Sequence, residues 1–144
     1  MLERLLFAQA RRELLSPPED VWAFLAEPHH LSDWWPNLAA VEPDRRGLAP
    51  QARWKVRRGS LPGLLRRPSA EETVVIRAVD PGRRLAWQFT QERLDVEIAL
   101  EPAGHDHTIA TLTVSGPFLL GFRRSLPRVA LDRLHSLIQT AASF

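Results

Sequence analysis

The carboxy-terminal stretch constrains the fold most strongly. From Leu126 onward the apolar residues are Leu126, Val129, Ala130, Leu134, Leu137, Ile138 and Ala141. This is the three-and-four spacing of one helical face, with Arg128, Asp132, Ser136 and Gln139 opposite. Each Leu, Val or Ile of such a stripe stabilises by roughly 1.5–3 kcal/mol when fully buried, so the helix requires a partner surface. Pro127 sits near the start of the stripe, where proline removes a hydrogen bond and clashes with the preceding turn. The expectation is a kink near Arg123–Pro127 or a helix that properly starts at Ser125. Phe118, Leu119, Leu120 and Phe122 then form a separate apolar hinge upstream.

The partner surface reads as sheet. Leu5 to Leu15 forms a first strand in which Leu6, Ala8, Ala10 and Leu14 share a face with Arg12. Ser16-Pro17-Pro18-Glu19 is a helix start: Ser16 caps, the prolines fit the first turn, and Glu19 completes a capping box. Pro28 ends that helix, and His29 to Trp35 makes one or two further turns before Pro36. Strand-like runs follow. Leu38 to Glu42 is short. Gln51 to Arg58 puts Ala52, Trp54 and Val56 on one face and Arg53, Lys55 and Arg57 on the other. Glu71 to Val79 ends at the turn Asp80-Pro81-Gly82. Leu85, Trp87 and Phe89 alternate with polar or small residues, as do Leu94, Val96, Ile98 and Leu100, and then Ala110, Leu112 and Val114. Such runs joined by tight turns are successive antiparallel hairpins, apolar on one side. The resulting expectation is an α+β fold. A curved antiparallel sheet of about six to seven strands wraps around a long C-terminal helix, with two short helices after the first strand.

Bulk properties fit one domain over residues 1–144, with 44% hydrophobic and 25% charged residues. There is no Cys, so neither disulfides nor thiolate chemistry. The first residues are too polar for a signal peptide and no apolar run approaches a membrane span, so a cytoplasmic location is expected. The formal net charge is only +2. The basic residues are unevenly placed: Arg45, Arg46, Arg53, Lys55, Arg57, Arg58, Arg66 and Arg67 fall in a stretch without Asp or Glu. That stretch is a solvated face or a rim for transient contact with anionic headgroups. Nucleic-acid binding is not expected, because no recognised motif accompanies it.

Two segments carry a family resemblance: Ser16-Pro17-Pro18-Glu19-Asp20-Val21-Trp22, and Glu27-Pro28-His29-His30-Leu31-Ser32-Asp33-Trp34-Trp35-Pro36. They resemble the opening of bacterial members of the START / polyketide cyclase-dehydrase (SRPBCC) superfamily, with Glu27 where Asp is usual. The resemblance implies a helix-grip fold with a ligand cavity under the long helix. It names no ligand, because the superfamily spans carriers, enzymes and proteins that act on client proteins.

Catalytic motifs are sparse. Gly116 to Gly121 has P-loop glycine spacing, but Phe122-Arg123 follows in place of Lys-Ser/Thr. His105 and His107 lie in a turn, so no metal site is expected, and nothing calls for a cofactor. His29 and His30 read as surface or capping residues. Trp34 reads as core, and Trp35 is either core or a cap on the pocket. An enzyme would need convergent polar groups from Arg12, His29, His30, Glu72 or Arg93. The inward-facing residues are almost wholly apolar, which favours binding over catalysis. The expected ligand wall is Trp35, Trp54, Trp87, Phe89, Val96 and Ile98, facing Phe122, Leu126, Ala130 and Leu134. The expected partner is a small hydrophobic molecule such as a lipid, isoprenoid or polyketide-like aromatic. The alternatives are a cyclase/dehydratase-type enzyme and a client-binding or stress-response module.

Overall fold

A computed structural model of the chain describes residues 5–59, 71–117 and 124–142. Its elements run β1 (Leu5–Leu14), α1 (Pro18–Leu25), a 3-10 turn (Pro28–His30), α2 (Leu31–Trp34), β2 (Leu38–Glu42), β3 (Arg53–Arg58), β4 (Glu71–Asp80), β5 (Arg84–Phe89), β6 (Leu94–Pro102), β7 (Thr108–Pro117) and α3 (Leu126–Ala142). The strands form one antiparallel sheet in the order β1-β7-β6-β5-β4-β3-β2. Each strand from β2 to β6 pairs with the next in sequence, and short turns join β4 to β5, β5 to β6 and β6 to β7. β1 closes beside β7, with Ala8 opposite Val114 and Leu14 opposite Thr108. Register shifts at Leu38/Ala40 and Ile76/Ala78 bend their strands, which helps the sheet curve.

The alternation expected from the sequence holds across the sheet. Trp54 lies opposite Val74, Val74 opposite Phe89, Ile76 opposite Trp87, Trp87 opposite Val96, and Ile98 opposite Leu112. All of these side chains are buried in one core. β1 follows the expected register: Ala8 and Leu14 are buried, and Arg12, on the same face, reaches Asp132 on α3.

Two details differ from expectation. α1 starts at Pro18 with Pro17 as its cap residue and no side-chain capping bond. Ser16 is buried, and its carbonyl oxygen accepts a 2.7 Å hydrogen bond from the Thr108 hydroxyl. The first helical hydrogen bonds, from Asp20 and Val21, go to the Pro17 carbonyl, so Ser16 lies one residue before the cap position. The second difference concerns α3. Ala130, Leu131, Leu134 and Ile138 are fully buried, Leu126 and Leu137 partly so, and Val129 is 37% exposed. The buried arc is rotated away from Val129 and includes Leu131. The cause is tertiary: α3 lies against β1, β7 and α2, and that seat selects which flank of the stripe is covered.

Pro127 is the second residue of α3, where a missing backbone donor costs nothing. Val129 N–H donates to the Ser125 carbonyl at 3.0 Å, so the helix starts within a residue of the expected Ser125. The apolar hinge expected at Phe118 to Phe122 lies outside the described residues.

The rotation of α3 is directly measurable. Leu134→Ala should destabilise by about 2–5 kcal/mol, whereas Val129→Ala should stay within about 0.5 kcal/mol of the parent. Urea unfolding of the two variants checks this, and equal losses would contradict the described packing.

Candidate functional site

The centre of the concave face is a block of aromatic rings. It arises from a local break in the chain. Trp34 ends α2, its next residue precedes Pro36, and a residue before proline is pushed out of helical conformation. Trp35 accordingly has φ −82° and ψ 128°, while its N–H still closes the helix on Leu31 O at 2.9 Å. The change of direction lets two consecutive indoles enter the core. Trp35, 1% exposed, lies 5.4 Å from Phe89 and 5.7 Å from Trp87 between ring centroids. Trp34 meets Trp35 at 5.7 Å and Trp87 at 6.0 Å, both edge to face. Offset and edge-to-face pairs of this kind add about 0.5–1.5 kcal/mol each beyond burial.

Trp54, Trp87, Phe89, Val96 and Ile98 all face the concave side and are buried. From the helix, Ala130 and Leu134 are fully buried and Leu126 is partly buried against the same core. Phe122 lies outside the described residues. The indole nitrogens of the two sheet tryptophans differ. Trp54 Nε1 donates to Gly47 O at 2.7 Å. Trp87 Nε1 is buried and has no hydrogen-bond partner among the described residues.

A charged cluster adjoins the block. Arg58 follows Trp54 and Val56 on the inward face of β3, and Glu72 lies on β4 opposite Val56. Glu72, 5% exposed, holds Arg58 Nη2 at 2.6 Å and accepts the Glu92 N–H at 2.8 Å. Arg58 also pairs with the Glu92 carboxylate and lies 5.2 Å over the Phe89 ring. Burial pushes the Glu92 carboxyl above the usual glutamate range, and the nearby Glu72 charge adds to this against the opposing pull of Arg58. Glu92 was missed in the sequence because a turn residue carries no periodic signal. Arg58 could be placed inward by strand parity with Trp54 and Val56.

Arg12, His29 and His30 are held elsewhere. Arg12 is held by Asp132. His29 Nδ1 meets Glu27 Oε1 at 2.8 Å, and these hydrogen bonds from His29 hold the exposed Glu27 carboxyl below its usual range. His30 Nδ1 bonds Phe24 O at 2.8 Å and its ring stacks on Phe24 at 4.1 Å, which ties the 3-10 turn to α1. Arg93 turns the chain between β5 and β6 with φ 56°. His107 pairs with Glu13 across the β1–β7 edge at 3.1 Å. Among the described residues no group of three or more His, Asp or Glu is placed to hold a metal ion.

The basic stretch divides. Arg53, Lys55 and Arg57 are exposed on the outer face of β3, and Arg58 is turned inward. Asp44 organises the preceding loop by accepting the N–H groups of Arg53 at 2.8 Å and Arg46 at 3.0 Å, which holds its carboxyl below the usual range. The span 60–70 lies outside the described residues. A groove of about 500 Å³ runs along the outer flank of α3, lined by Asp33, Val129, Asp132, Arg133, Ser136 and Leu137. It accounts for the exposure of Val129. No helix among the described residues is long and apolar enough to cross a membrane.

A seven-stranded antiparallel sheet with a C-terminal helix over its concave face defines a helix-grip protein. The chain belongs to the polyketide cyclase / dehydrase and lipid transport family, whose model matches residues 8–140. No curated protein sequence matches it. Among solved structures, a norcoclaurine synthase point mutant from Thalictrum flavum, in complex with a transition state analogue, superposes with a TM-score of 0.73 at 15% identity, covering 99% of each chain. A protein of unknown function from Staphylococcus aureus gives 0.74 at 10% identity over 99% of this chain and 98% of its own. A conserved protein of unknown function from Enterococcus faecalis gives 0.73 at 18% identity over 98% and 75%. At these identities the likeness is one of fold.

The charge cluster generates a pH-dependent expectation. The folded state raises the Glu92 pKa, so it binds this proton more tightly than the unfolded chain does. Stability from Glu92 is therefore fully present below the ordinary glutamate value of 4.5 and lost as pH rises through the higher folded value. Urea unfolding should show Glu92→Gln gaining stability relative to the parent as pH rises toward neutrality. Glu72→Ala should lose about 2 kcal/mol at pH 7, since it strips a buried carboxylate from Arg58 and the Glu92 N–H.

Proposed function

We propose that the protein binds a small hydrophobic molecule, a lipid, isoprenoid or polyketide-like aromatic, between sheet and α3 as a carrier or binding protein. The observation that carries this reading is the division of the concave face. α3 is seated on β1, β7 and α2, while β3 to β6 present Trp54, Trp87, Phe89, Val96 and Ile98 on the same face. A ligand between these halves meets Trp35 and the sheet residues on one side and Leu126, Ala130 and Leu134 on the other. Apolar walls with few polar groups are what a hydrophobic ligand site requires. The family description, which joins cyclases and dehydrases to lipid transport, supports the same reading. The exposed row Arg53, Lys55 and Arg57 supports transient contact with an anionic membrane surface during loading.

A second reading, a cyclase/dehydratase-type enzyme, is favoured by one observation. The Arg58–Glu72–Glu92 cluster adjoins the Phe89 ring and includes a carboxyl raised above the usual glutamate range, the direction that favours a proton donor.

Native mass spectrometry of the gently purified protein should reveal a co-purifying apolar molecule. The probe N-phenyl-1-naphthylamine should bind with roughly micromolar affinity and quench the tryptophan emission. A protein that carries nothing and does not bind the probe is not a hydrophobic-ligand binder. Recovery of the bound molecule unchanged after incubation supports a carrier. Its conversion to a cyclised or dehydrated product, lost in Glu92→Gln, supports the enzyme.

A further inference from the structure

Among the described residues, one strong buried donor has no acceptor. Trp87 is 2% exposed, and its Nε1–H has no hydrogen-bond partner among the described residues. Buried polar groups are almost always satisfied, so an exception calls for an explanation. Trp54 on the same face shows the ordinary solution, an indole donating to a backbone carbonyl. The surroundings of Trp87 offer none: its neighbours across the strands are Ile76 and Val96, and its ring is flanked by Trp34 and Trp35. A phenylalanine there would present a similar hydrophobic surface without the unsatisfied N–H.

We propose that Trp87 Nε1 is the hydrogen-bond anchor of the ligand and determines its specificity. The site takes a flat apolar molecule that brings a neutral acceptor oxygen, such as a ketone, quinone or aryl ether, and discriminates against a hydrocarbon of the same shape. The inference rests on the binding reading above. Flatness follows from the rings: Trp35, Trp87 and Phe89 touch one another, with centroids 5.4–5.7 Å apart, and so form one continuous aromatic surface against which a flat molecule packs best. Neutrality follows from the charges on the same wall. The guanidinium over Phe89 already faces two carboxylates, Glu72 and Glu92, so among the described residues no surplus cation adjoins the rings to welcome an anionic ligand.

The test is a heteronuclear NMR titration of protein labelled with ¹⁵N in the indoles of its five tryptophans. Trp87→Phe assigns the Trp87 signal by its disappearance. Three probes share one ring system: 2-acetonaphthone carries a neutral acceptor, 2-ethylnaphthalene carries none, and 2-naphthoate carries an anionic one. The ketone should move the Trp87 indole proton downfield and bind roughly tenfold tighter than the hydrocarbon, the ratio one net hydrogen bond confers. The carboxylate should bind more weakly than the ketone. In Trp87→Phe the affinity ratio of ketone to hydrocarbon should fall to about one, whatever the change in their common affinity.

Equal binding of ketone and hydrocarbon with a stationary Trp87 signal would overturn the anchor and leave the hydrophobic pocket standing. That is also the result expected if the N–H rests on the face of a neighbouring indole. A ketone preference that survives in Trp87→Phe would overturn it as well. Failure of all three probes to bind would remove the pocket and the anchor together. Should Trp87→Phe not fold, cross-strand contacts to Ile76 and Val96 assign the signal, and the shift in the parent protein decides.

Discussion

The packing of Trp35 against Trp87 and Phe89 joins the helical insert to the middle of the sheet, and the remaining arrangement depends on it. A curved sheet with one apolar face must be covered along its whole width. One straight helix does not span it, and α3 is seated at the β1–β7 end and against α2. The tryptophan block serves the centre, where Trp34 and Trp35 reach β5 from a helix of only four residues. Pro36 makes this possible by ending that helix where the two indoles can both turn inward.

Around this apolar centre the polar groups are placed by one rule. Where an inward strand position carries a charge, the charge lies near a strand end and is answered from another element. Arg12 near the end of β1 is answered by Asp132 of α3, and Arg58 at the end of β3 by Glu72 of β4 and Glu92 of the β5–β6 turn. Such pairs contribute little to net stability but leave a costly orphan if one partner is removed, so they fix which ends of which elements meet. Trp87 Nε1 departs from the rule, and it lies among the rings rather than at an edge.

Much of the fold was legible because it rests on short-range periodicity. The strand faces of Trp54 and Val56, of Trp87 and Phe89, and of Val96 and Ile98 follow from alternation alone, and the register kept them together. The Pro28 and Pro36 boundaries and the Asp80-Pro81-Gly82 turn were equally local, the last confirmed by Gly82 at φ 78°. Misreadings occurred where a distant partner chose between local options. Ser16 has the chemistry of a cap, yet its carbonyl is held by Thr108, 92 positions away. Val129 and Leu131 flank the helical stripe symmetrically, and only the seat on β1, β7 and α2 decides that Leu131 is buried. Arg58 read as one of a basic run, while its inward pairing depends on Glu72 and on a glutamate in a turn.

The sequence by itself determined the element order, the apolar side of each strand and the presence of a long amphipathic helix, because these follow from side-chain spacing within a dozen residues. Tertiary structure decided the rotation of that helix, the union of three tryptophans and a phenylalanine into one block, and the convergence of Arg58, Glu72 and Glu92 beside it. Each of these depends on which residues from separate strands, helices and turns arrive at the same place. No local pattern specifies that, since burial and charge pairing are satisfied only once the sheet has curved and the helices have covered it.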